Sequence, residues 1–298
     1  MAGKAIVING LVVSNPLETV TFKGVDTILA SYLSKNATIS TDEKAALKTF
    51  VGGLLDAELW DKVKYFYPLL GSAVADQLVE VVNPDTEDLF NTNLSGTSFT
   101  SGLSVSNRKL LAVSRSLSNP YPSLTTSRFK SIDFRDAGII AASSHTGTTA
   151  SDTPNSSVLT LLPRLQGNNI IAGLDGASGS SNYRYPLIYA GENNSSQVEY
   201  PTGSSDGGNQ LSYLERILLA DYNGNTANLY KDKTVYKTGT NYAVSDANGY
   251  RLKSLLNNGS ANNLYYGFFA ITEHLSADEW GAFYDLLLVF LKAVSKHS

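Results

Sequence analysis

The chain contains no cysteine, which excludes disulfide bonds, thiolate zinc sites and a cysteine nucleophile. Charged residues are also scarce, at 17% of the sequence against roughly 25% in an average soluble domain. No block of lysine and arginine is present that could neutralise a phosphate backbone, so the composition argues against nucleic-acid binding. The polar surface must be built mainly from neutral groups, and the 17 tyrosines and 24 glycines suit a strand-rich protein.

Long apolar runs are missing as well. No segment offers 18 apolar residues without a charge, so we expect no transmembrane helix. The apolar run IVINGLVV near the N-terminus is interrupted by Asn9-Gly10 and is too short for the core of a secretory signal. Residues 5–22 are therefore interpreted as a small β-hairpin or, alternatively, as an extended arm. A hairpin of this size needs another surface to pack on, such as a neighbouring subunit.

Helical patterns occur in two places, and the first follows Ser40. Ser40 and Glu43 have the spacing of a capping box, in which each side chain bonds the other residue's backbone N–H. Apolar residues then recur three and four positions apart, which predicts a helical hairpin over 40–71 that ends at Gly71. The apolar positions are Leu47, Phe50, Val51, Leu54 and Leu55 in the first predicted helix, and Leu59, Trp60, Val63, Phe66, Tyr67 and Leu70 in the second.

The second helical pattern is at the C-terminal end of the chain. Ser276 and Glu279 form another capping-box pair. An apolar stripe follows at helical spacing, and we expect it to pack on the helical hairpin, against Leu47, Phe50, Leu54 and Trp60. The stripe consists of Trp280, Phe283, Leu287, Phe290 and Val294.

Between these helical regions the sequence has the pattern of strands. Runs of strand length are separated by clusters of Asn, Gly, Ser and Asp, with no helical window between them, which predicts a mainly β, antiparallel sandwich. The runs are 109–117, 138–144, 157–165, 169–174, 183–191, 211–222, 228–237, 250–256 and 264–272.

Candidate catalytic and metal-binding groups are sparse. Asp133 and Asp136 are the closest acidic pair in the sandwich region, but Arg135 between them favours a surface turn or salt bridge over a glycosidase pair. The stretch from Asp221 to Asp232 begins like a calcium loop but lacks the glycine and the bidentate glutamate that such a loop needs. A hairpin turn at Asn223-Gly224 is the favoured interpretation, with a weaker calcium site as the alternative.

The three histidines do not suggest a catalytic centre. His145, His274 and His297 are far apart in the sequence, and no G-x-S-x-G nucleophile motif is present. We therefore expect polar surface or interface roles for them, no metal, no cofactor and no enzymatic activity.

A group of tyrosines and amides suggests a glycan-binding site. Aromatic faces can stack on sugar rings, while amides and carboxylates bind hydroxyl groups. The same mixture is also typical of an ordinary strand-end surface. The candidate residues, all in or beside the long polar loops of 175–210, are Tyr183, Tyr185, Asn193, Asn194, Tyr200 and Asp206.

Several segments resemble bacteriophage virion proteins. The segment TDEKAALKTFVGGLLDAELWDKVKYFYPLLG (41–71) is similar to a helical hairpin of such proteins, and ITEHLSADEWGAFYDLLLVFLKAV (271–294) resembles their closing helix. Between these ends the family carries a concanavalin A-like, LamG-type jelly-roll sandwich. NLYKDKTVYKT (228–238) resembles one of its hairpins and AGIIAASS (137–144) one of its inner strands.

This resemblance implies a structural protein of the virion, such as a tail or head fibre or a decoration protein that binds host-surface glycans. It implies other virion proteins as partners through the N-terminal arm, and a homo-oligomer, with a trimer favoured. The alternatives are a carbohydrate-binding module outside a virion or a glycan-cleaving enzyme, although the Glu-x-Asp-x-x-Glu strand of glucanases is missing. The predicted division is 1–39 as the arm, 40–88 as the helical hairpin, 89–274 as the sandwich and 275–298 as the closing helix.

Overall fold

The structure is a computed structural model. Its description covers residues 6–8, 11–13, 24–84, 89–92, 103–106, 108–112, 123–126, 130–133, 135–145, 156–163, 172–178, 185–190, 197–199, 216–224, 226–240, 246–255 and 264–296. Side chains are described within 24–84, 105–106, 108–110, 135–142, 217–224, 226–235, 238–239 and 267–296.

Four α-helices occur in the described part of the chain: α1 Val25–Lys35, α2 Thr41–Asp56, α3 Val74–Gln77 and α4 Ala277–Ala293. Both predicted capping boxes are confirmed at the starts of α2 and α4. Glu43 N–H donates to Ser40 Oγ over 3.2 Å, and Ser40 N–H donates to Glu43 Oε2 over 2.8 Å. Ser276 and Glu279 exchange the same two bonds at the start of α4. None of the helices in the described residues has the length and apolarity needed to span a bilayer.

The strands are numbered here in chain order. They are β1 Ile6–Ile8, β2 Leu11–Val13, β3 Val63–Tyr67, β4 Leu89–Thr92, β5 Leu103–Ser106, β6 Lys109–Ala112, β7 Ser123–Thr126, β8 Lys130–Asp133, β9 Asp136–His145, β10 Ser156–Pro163, β11 Ala172–Ser178, β12 Tyr185–Ala190, β13 Gln197–Glu199, β14 Arg216–Asn223, β15 Thr226–Lys231, β16 Thr234–Thr240, β17 Asp246–Leu255 and β18 Leu264–Thr272.

These strands form two large antiparallel sheets and one small hairpin. The first sheet, called here the helix-side sheet, has the order β16-β15-β14-β9-β18-β6-β5, with β3 also paired to β18. The second, called the outer sheet, has the order β13-β12-β11-β10-β17-β7-β4, with β8 also paired to β17. Strands β1 and β2 pair with each other, as predicted for the N-terminal hairpin. The predicted mainly β, antiparallel jelly-roll sandwich is confirmed.

The molecule has three layers. Strands β10, β11 and β12 of the outer sheet contact β9, β14, β15 and β18, so the two sheets pack face to face. On its other face, the helix-side sheet shares one apolar core with α2 and α4. Ile140 and Ala142 of β9 belong to this core, while their neighbours Ile139 and Ala141 are buried too. Both faces of the helix-side sheet are therefore covered.

Phe50 of α2 lies at the centre of the helix-side core. Its ring centroid is 5.6 Å from that of Phe66, 6.0 Å from Phe268, 5.8 Å from Phe283 and 5.1 Å from Phe290. This packing joins α2, β3, β18 and α4 in one aromatic cluster. The cluster lies between the helices and the helix-side sheet, on the opposite side of that sheet from the outer sheet.

The apolar stripe of α4 is buried along its length, as predicted, and shares the core with Leu47, Phe50 and Leu54. Trp60 is only partly buried and packs its ring edge on Phe66, 6.2 Å away. Trp280 packs on Tyr230 of β15, also at 6.2 Å.

The predicted second helix of the hairpin is wrong. After α2 the chain makes a single 3₁₀ turn at Trp60–Lys62 and then enters β3, which pairs with β18. Strand β3 is buried at four of its five residues, because both its faces are covered, so its apolar pattern does not alternate as in a half-exposed strand. Gly71 has the expected positive φ, +95°, but residues 68–70 before it follow β3 and are not helical.

The segment predicted to be an N-terminal arm contains α1. Leu29 and Tyr32 of α1 are fully buried, and α1 packs on α2. The helix pair of this protein is thus α1–α2, joined by residues 36–40. Of the four predicted segments, 40–88 contributes β3 to the sandwich. The division of the chain otherwise stays a prediction.

Candidate functional site

A histidine at the junction of β18 and α4 forms the most complete polar cluster of the described residues. His274 Nδ1 lies 2.9 Å from both carboxylate oxygens of Asp221. Asp221 is fully buried near the end of β14, and the backbone N–H of Leu275 donates to its Oδ1 over 3.3 Å. The cluster forms because β14 and β18 both flank β9 in the helix-side sheet, which brings their ends together.

The other ring nitrogen of His274 contacts an amide. Asn223 Nδ2 is 3.1 Å from His274 Nε2, and an amide nitrogen can only donate. Nε2 therefore accepts, and the ring hydrogen sits on Nδ1, where it faces Asp221. The backbone N–H of His274 also donates to Asp136 Oδ1 over 3.0 Å, so β9 helps to hold the residue.

This arrangement orients the imidazole of His274, whose side chain is 27% exposed. An Asp–His pair of this kind can position a general base, which then needs a nucleophile or water at its free nitrogen. Here Nε2 is engaged by Asn223, and no described hydroxyl group bonds to it. Burial raises the pKa of the Asp221 carboxyl above its usual value, and the hydrogen bond from His274 opposes that rise. The cluster anchors the start of α4.

Two ion pairs lie beside this cluster. Lys62 Nζ is 2.6 Å from Glu279 Oε1, and it also donates to the backbone oxygen of His274 over 3.2 Å. The hydrogen bond from Lys62 lowers the pKa of the Glu279 carboxyl. Lys64 pairs with Glu273, also at 2.6 Å. These contacts tie the segment that begins β3 to the segment that begins α4.

A buried lysine holds the other end of α4. Lys296 Nζ donates to the backbone oxygens of Pro68, Leu69 and Gly267, the first over 3.0 Å and the last over 3.2 Å. Leu69 has a left-handed backbone, with φ at +52°. Burial lowers the pKa of the Lys296 ammonium to about 7, while the nearby Glu43 carboxylate raises it and Lys109 lowers it further.

A third buried polar network links the α1–α2 connection to residues 70–77. Asn36 Nδ2 donates to Tyr32 Oη over 2.9 Å, to the backbone oxygen of Leu70 and to that of Asp76. A Cβ on Gly71 would lie 2.8 Å from Asn36 Oδ1, so glycine is required there both by space and by its positive φ. Because Asn36 bonds groups of its own chain and no room is left beside Gly71, we interpret this network as structural.

The glycan site predicted from the sequence falls largely outside the described residues. Tyr183, Asn193, Asn194, Tyr200 and Asp206 are not described. Tyr185 is the first residue of β12, and its side chain is not described. The chain enters β12 at Tyr185 and leaves it at Ala190, so the tyrosine and asparagine candidates are attached to opposite ends of this strand. The site stays a prediction.

Two other candidates from the sequence have a described structural role. Asp136 accepts from His274 N–H, and Gly224, with φ at +58°, lies in the β14–β15 turn that the sequence favours. Within the described side chains, no group of three or more His, Asp or Glu is placed to hold a metal ion. Sequence reasoning missed the pairing of Asp221 with His274, because 53 positions separate the two residues and no motif links them.

No family model matches the chain, and no curated protein sequence matches it. Its fold is similar to that of botulinum neurotoxin type C, whose cell entry is dependent upon interaction with two ganglioside molecules. That match has a TM-score of 0.55 and 10% sequence identity, and it covers 78% of this chain and 53% of the neurotoxin chain. The binding domain of botulinum neurotoxin DC in complex with rat synaptotagmin II matches at TM-score 0.54, 11% identity, 76% of this chain and 52% of that chain. Domain 4 of an extracellular arabinanase from Geobacillus stearothermophilus, in complex with arabinotriose, matches at TM-score 0.49, 11% identity, 74% of this chain and 98% of that chain.

At these identities the likeness shows a shared fold. The chain spans about half the length of the two neurotoxin chains that it matches. Both of those matches support the antiparallel sandwich architecture that the strand order displays.

Proposed function

We propose that this protein is a non-catalytic structural component of a bacteriophage virion, a fibre or decoration protein, that recognises glycans on the host surface. The observation that carries the glycan part is the asymmetry of the sandwich. Helices α2 and α4 cover the outward face of the helix-side sheet and α1 packs on α2, so these three helices lie on the side of that sheet away from β10–β13. Recognition is therefore assigned to the outer sheet and its connecting loops.

The candidate glycan-binding segments are attached to neighbouring strands of the outer sheet, some before β12 and others after it. Strands β11, β12 and β13 are consecutive neighbours and pair antiparallel. The connections before and after β12 carry Tyr183, Asn193 and Asn194, and Tyr200 follows β13 directly. Tyrosine rings and amide groups suit the apolar faces and hydroxyl groups of sugars.

The fold comparison supports the same class of ligand by analogy. The neurotoxin type C, whose cell entry depends on interaction with two ganglioside molecules, has a sandwich of this kind. Fold alone does not define a ligand, so the tyrosine and amide segments of this chain are what specify sugars as the ligand class in this proposal.

The virion role rests on the resemblance of the two sequence segments 41–71 and 271–294 to phage virion proteins. The N-terminal hairpin is consistent with attachment, because two short strands that pair only with each other are marginally stable in water. If the protein is a virion component, peptides from it will be detected in particles purified through a density gradient. Its absence from intact particles, together with its presence in the lysate, would remove this part of the proposal.

A glycan array followed by calorimetric titration tests the glycan part. The full chain should bind host-surface polysaccharide, and Tyr185→Ala and Tyr200→Ala should each weaken binding about tenfold, equivalent to roughly 1.4 kcal/mol. Lys292→Ala, on the exposed face of α4, is the matched control and should leave the affinity unchanged. Wild-type affinity in both tyrosine variants would refute this site, and an array without any bound glycan would refute the ligand class.

A further inference from the structure

The turn between β14 and β15 carries the dipeptide Asn223-Gly224, which is open to a chemical modification. Both residues are exposed, and a Cβ placed on Gly224 would meet no atom of the described residues within 4 Å. Asparagine followed by glycine deamidates more readily than other asparagines, because glycine has no side chain to hinder attack by its own backbone nitrogen. Burial therefore does not exclude this reaction at Asn223.

Deamidation needs only groups of the turn itself and water. The backbone nitrogen of Gly224 loses its hydrogen to a solvent base and forms a bond to Cγ of Asn223. The bond from Cγ to Nδ2 then breaks, and Nδ2 leaves as ammonia after taking up a proton from water, which produces a succinimide ring. Hydrolysis of this ring by a water molecule leaves aspartate or isoaspartate at position 223.

The attacking nitrogen is engaged in the folded state. Gly224 N–H donates to the backbone oxygen of Arg135 over 2.7 Å. Loss of the hydrogen would break this bond and leave a negative nitrogen facing a carbonyl oxygen, so the contact makes the N–H less acidic. Asn223 is also paired with Asp136 at the start of β9. The end of β9 therefore restrains the nucleophile.

The amide under attack is engaged as well. Asn223 Nδ2 lies 3.1 Å from His274 Nε2, and Asp221 holds the opposite nitrogen of the same ring at 2.9 Å. Attack requires the nitrogen to approach Cγ along a defined direction. A side chain held on His274 has little freedom to adopt that alignment, so the junction of β18 and α4 restrains the electrophile.

We propose that Asn223 is a deamidation site whose reaction is controlled by His274 at the start of α4. The modification is slow while His274 holds the amide, and it proceeds when the junction of β18 and α4 opens. The product has a carboxylate in place of the amide and cannot donate to His274 Nε2. The original contact is therefore not restored when the junction closes. This inference is independent of the virion and glycan roles, which its test does not use.

Peptide mass spectrometry of the full chain, incubated in mildly alkaline buffer, measures the rate at each Asn-Gly dipeptide. The chain has four of them, beginning at Asn9, Asn223, Asn248 and Asn258. In denaturant all four should react at similar rates, because glycine follows asparagine in each. In the folded chain Asn223 should react at least about fivefold more slowly than in denaturant, the factor that one typical hydrogen bond contributes to an equilibrium. Equal rates at Asn223 in the two conditions would overturn the proposal.

Substitution of His274 tests whether this residue controls the reaction. His274→Ala should raise the folded-state rate at Asn223 about fivefold. His274→Gln, whose side-chain oxygen can still accept from the amide, should stay closer to the wild-type rate. Asn248, in β17 of the outer sheet, is the control within the same chain, and its rate should not change. Thermal unfolding of each variant establishes that it is folded.

Three results with His274→Ala would overturn the proposal. An unchanged rate at Asn223 would show that the contact does not restrain the amide. A slower rate would identify His274 as a catalyst of the reaction. Equal acceleration at Asn248 would show that global unfolding, and not a local opening at the start of α4, limits the modification.

Discussion

The two ends of helix α4 are anchored to the sandwich by buried ionisable groups of opposite kind. At the first end, Asp221 accepts hydrogen bonds from His274 and Leu275. At the second end, Lys296 donates to three backbone oxygens. Burial raises the pKa of Asp221 and lowers that of Lys296, so at both ends it disfavours the charged form. Burial therefore gives the stability contributions of Asp221 and Lys296 opposite dependences on pH.

The sign follows from proton linkage. Around Asp221, the folded state keeps its proton to a higher pH than the unfolded state, so this group's contribution to stability is lost as the pH rises through the raised pKa. Around Lys296, the folded pKa of about 7 lies below the unfolded value of about 10.4, so the unfolded state binds more protons between these values. Stability should therefore rise with pH in that second window.

The largest effect is expected from removing the core contact at the first end of α4. Trp280 is fully buried, and its Nε1–H donates to the backbone oxygen of Asp232 over 2.7 Å. Trp280→Ala should lower the free energy of unfolding by about 3–5 kcal/mol, the usual cost of a deleted core aromatic. Denaturant titration measures this, with Val289→Ala on the exposed face as the control, expected within about 0.5 kcal/mol. A loss below about 1 kcal/mol for Trp280→Ala would contradict the core described here.

The next effect concerns the buried lysine at the second end. The free energy of unfolding should increase by roughly 2 kcal/mol from pH 7 to 9, since one pH unit is worth at most about 1.4 kcal/mol for a single group. Lys296→Met keeps the side-chain length and should remove this increase, whereas Lys292→Met, one turn earlier and exposed, should keep it. Parallel pH profiles for wild type and Lys296→Met would show that Lys296 is charged throughout.

Asp221 should show the opposite pH dependence of stability from Lys296. Asp221→Asn preserves shape but removes one acceptor, and should cost about 1–2 kcal/mol near pH 4 because a donor loses its partner. The cost should shrink as the pH rises to 7, because the wild type then carries a buried charge that the variant lacks. Chemical unfolding at several pH values measures this, with Asp285→Asn on the exposed face as the control. A cost that grows with pH would contradict a raised pKa for Asp221.

The sequence predicts α4 well because all of its signals are local. Ser276, Glu279 and the stripe beginning at Trp280 lie within one continuous segment, and each agrees with a helix. The segment 63–67 was misread because Val63, Phe66 and Tyr67 also fit a helical period. In the structure this segment is a strand that is covered on both faces. Its sequence therefore lacks the alternation of apolar and polar residues by which a half-exposed strand is recognised.

The anchors of α4 could not be predicted for a different reason. His274 and Asp221 meet only because β14 and β18 lie on either side of β9. The bond from Lys296 to Pro68 likewise joins residues 228 positions apart. Such contacts depend on the sheet order, which strand patterns alone do not determine. The tyrosine and amide residues proposed to bind glycans were recognised by chemistry alone and stay predictions.

The smallest effect comes from the capping boxes, which occur in equivalent form at the starts of α4 and α2. Ser276→Ala and Ser40→Ala each remove a side-chain acceptor and should each cost about 1 kcal/mol. Glu279 is also bonded by Lys62, whereas Glu43 is buried and accepts weakly from Gly71 N–H over 3.4 Å. Each substitution leaves the backbone N–H of the glutamate without its acceptor, whereas the backbone N–H of residue 40 or 276 still donates to the carboxylate over 2.8 Å. Water replaces the lost acceptor less readily at the buried Glu43 than at the partly exposed Glu279. Denaturant titration should therefore find Ser40→Ala the more costly of the two. Equal losses would mean that the surroundings of the glutamate do not matter, and each helix start is stabilised by its own box alone.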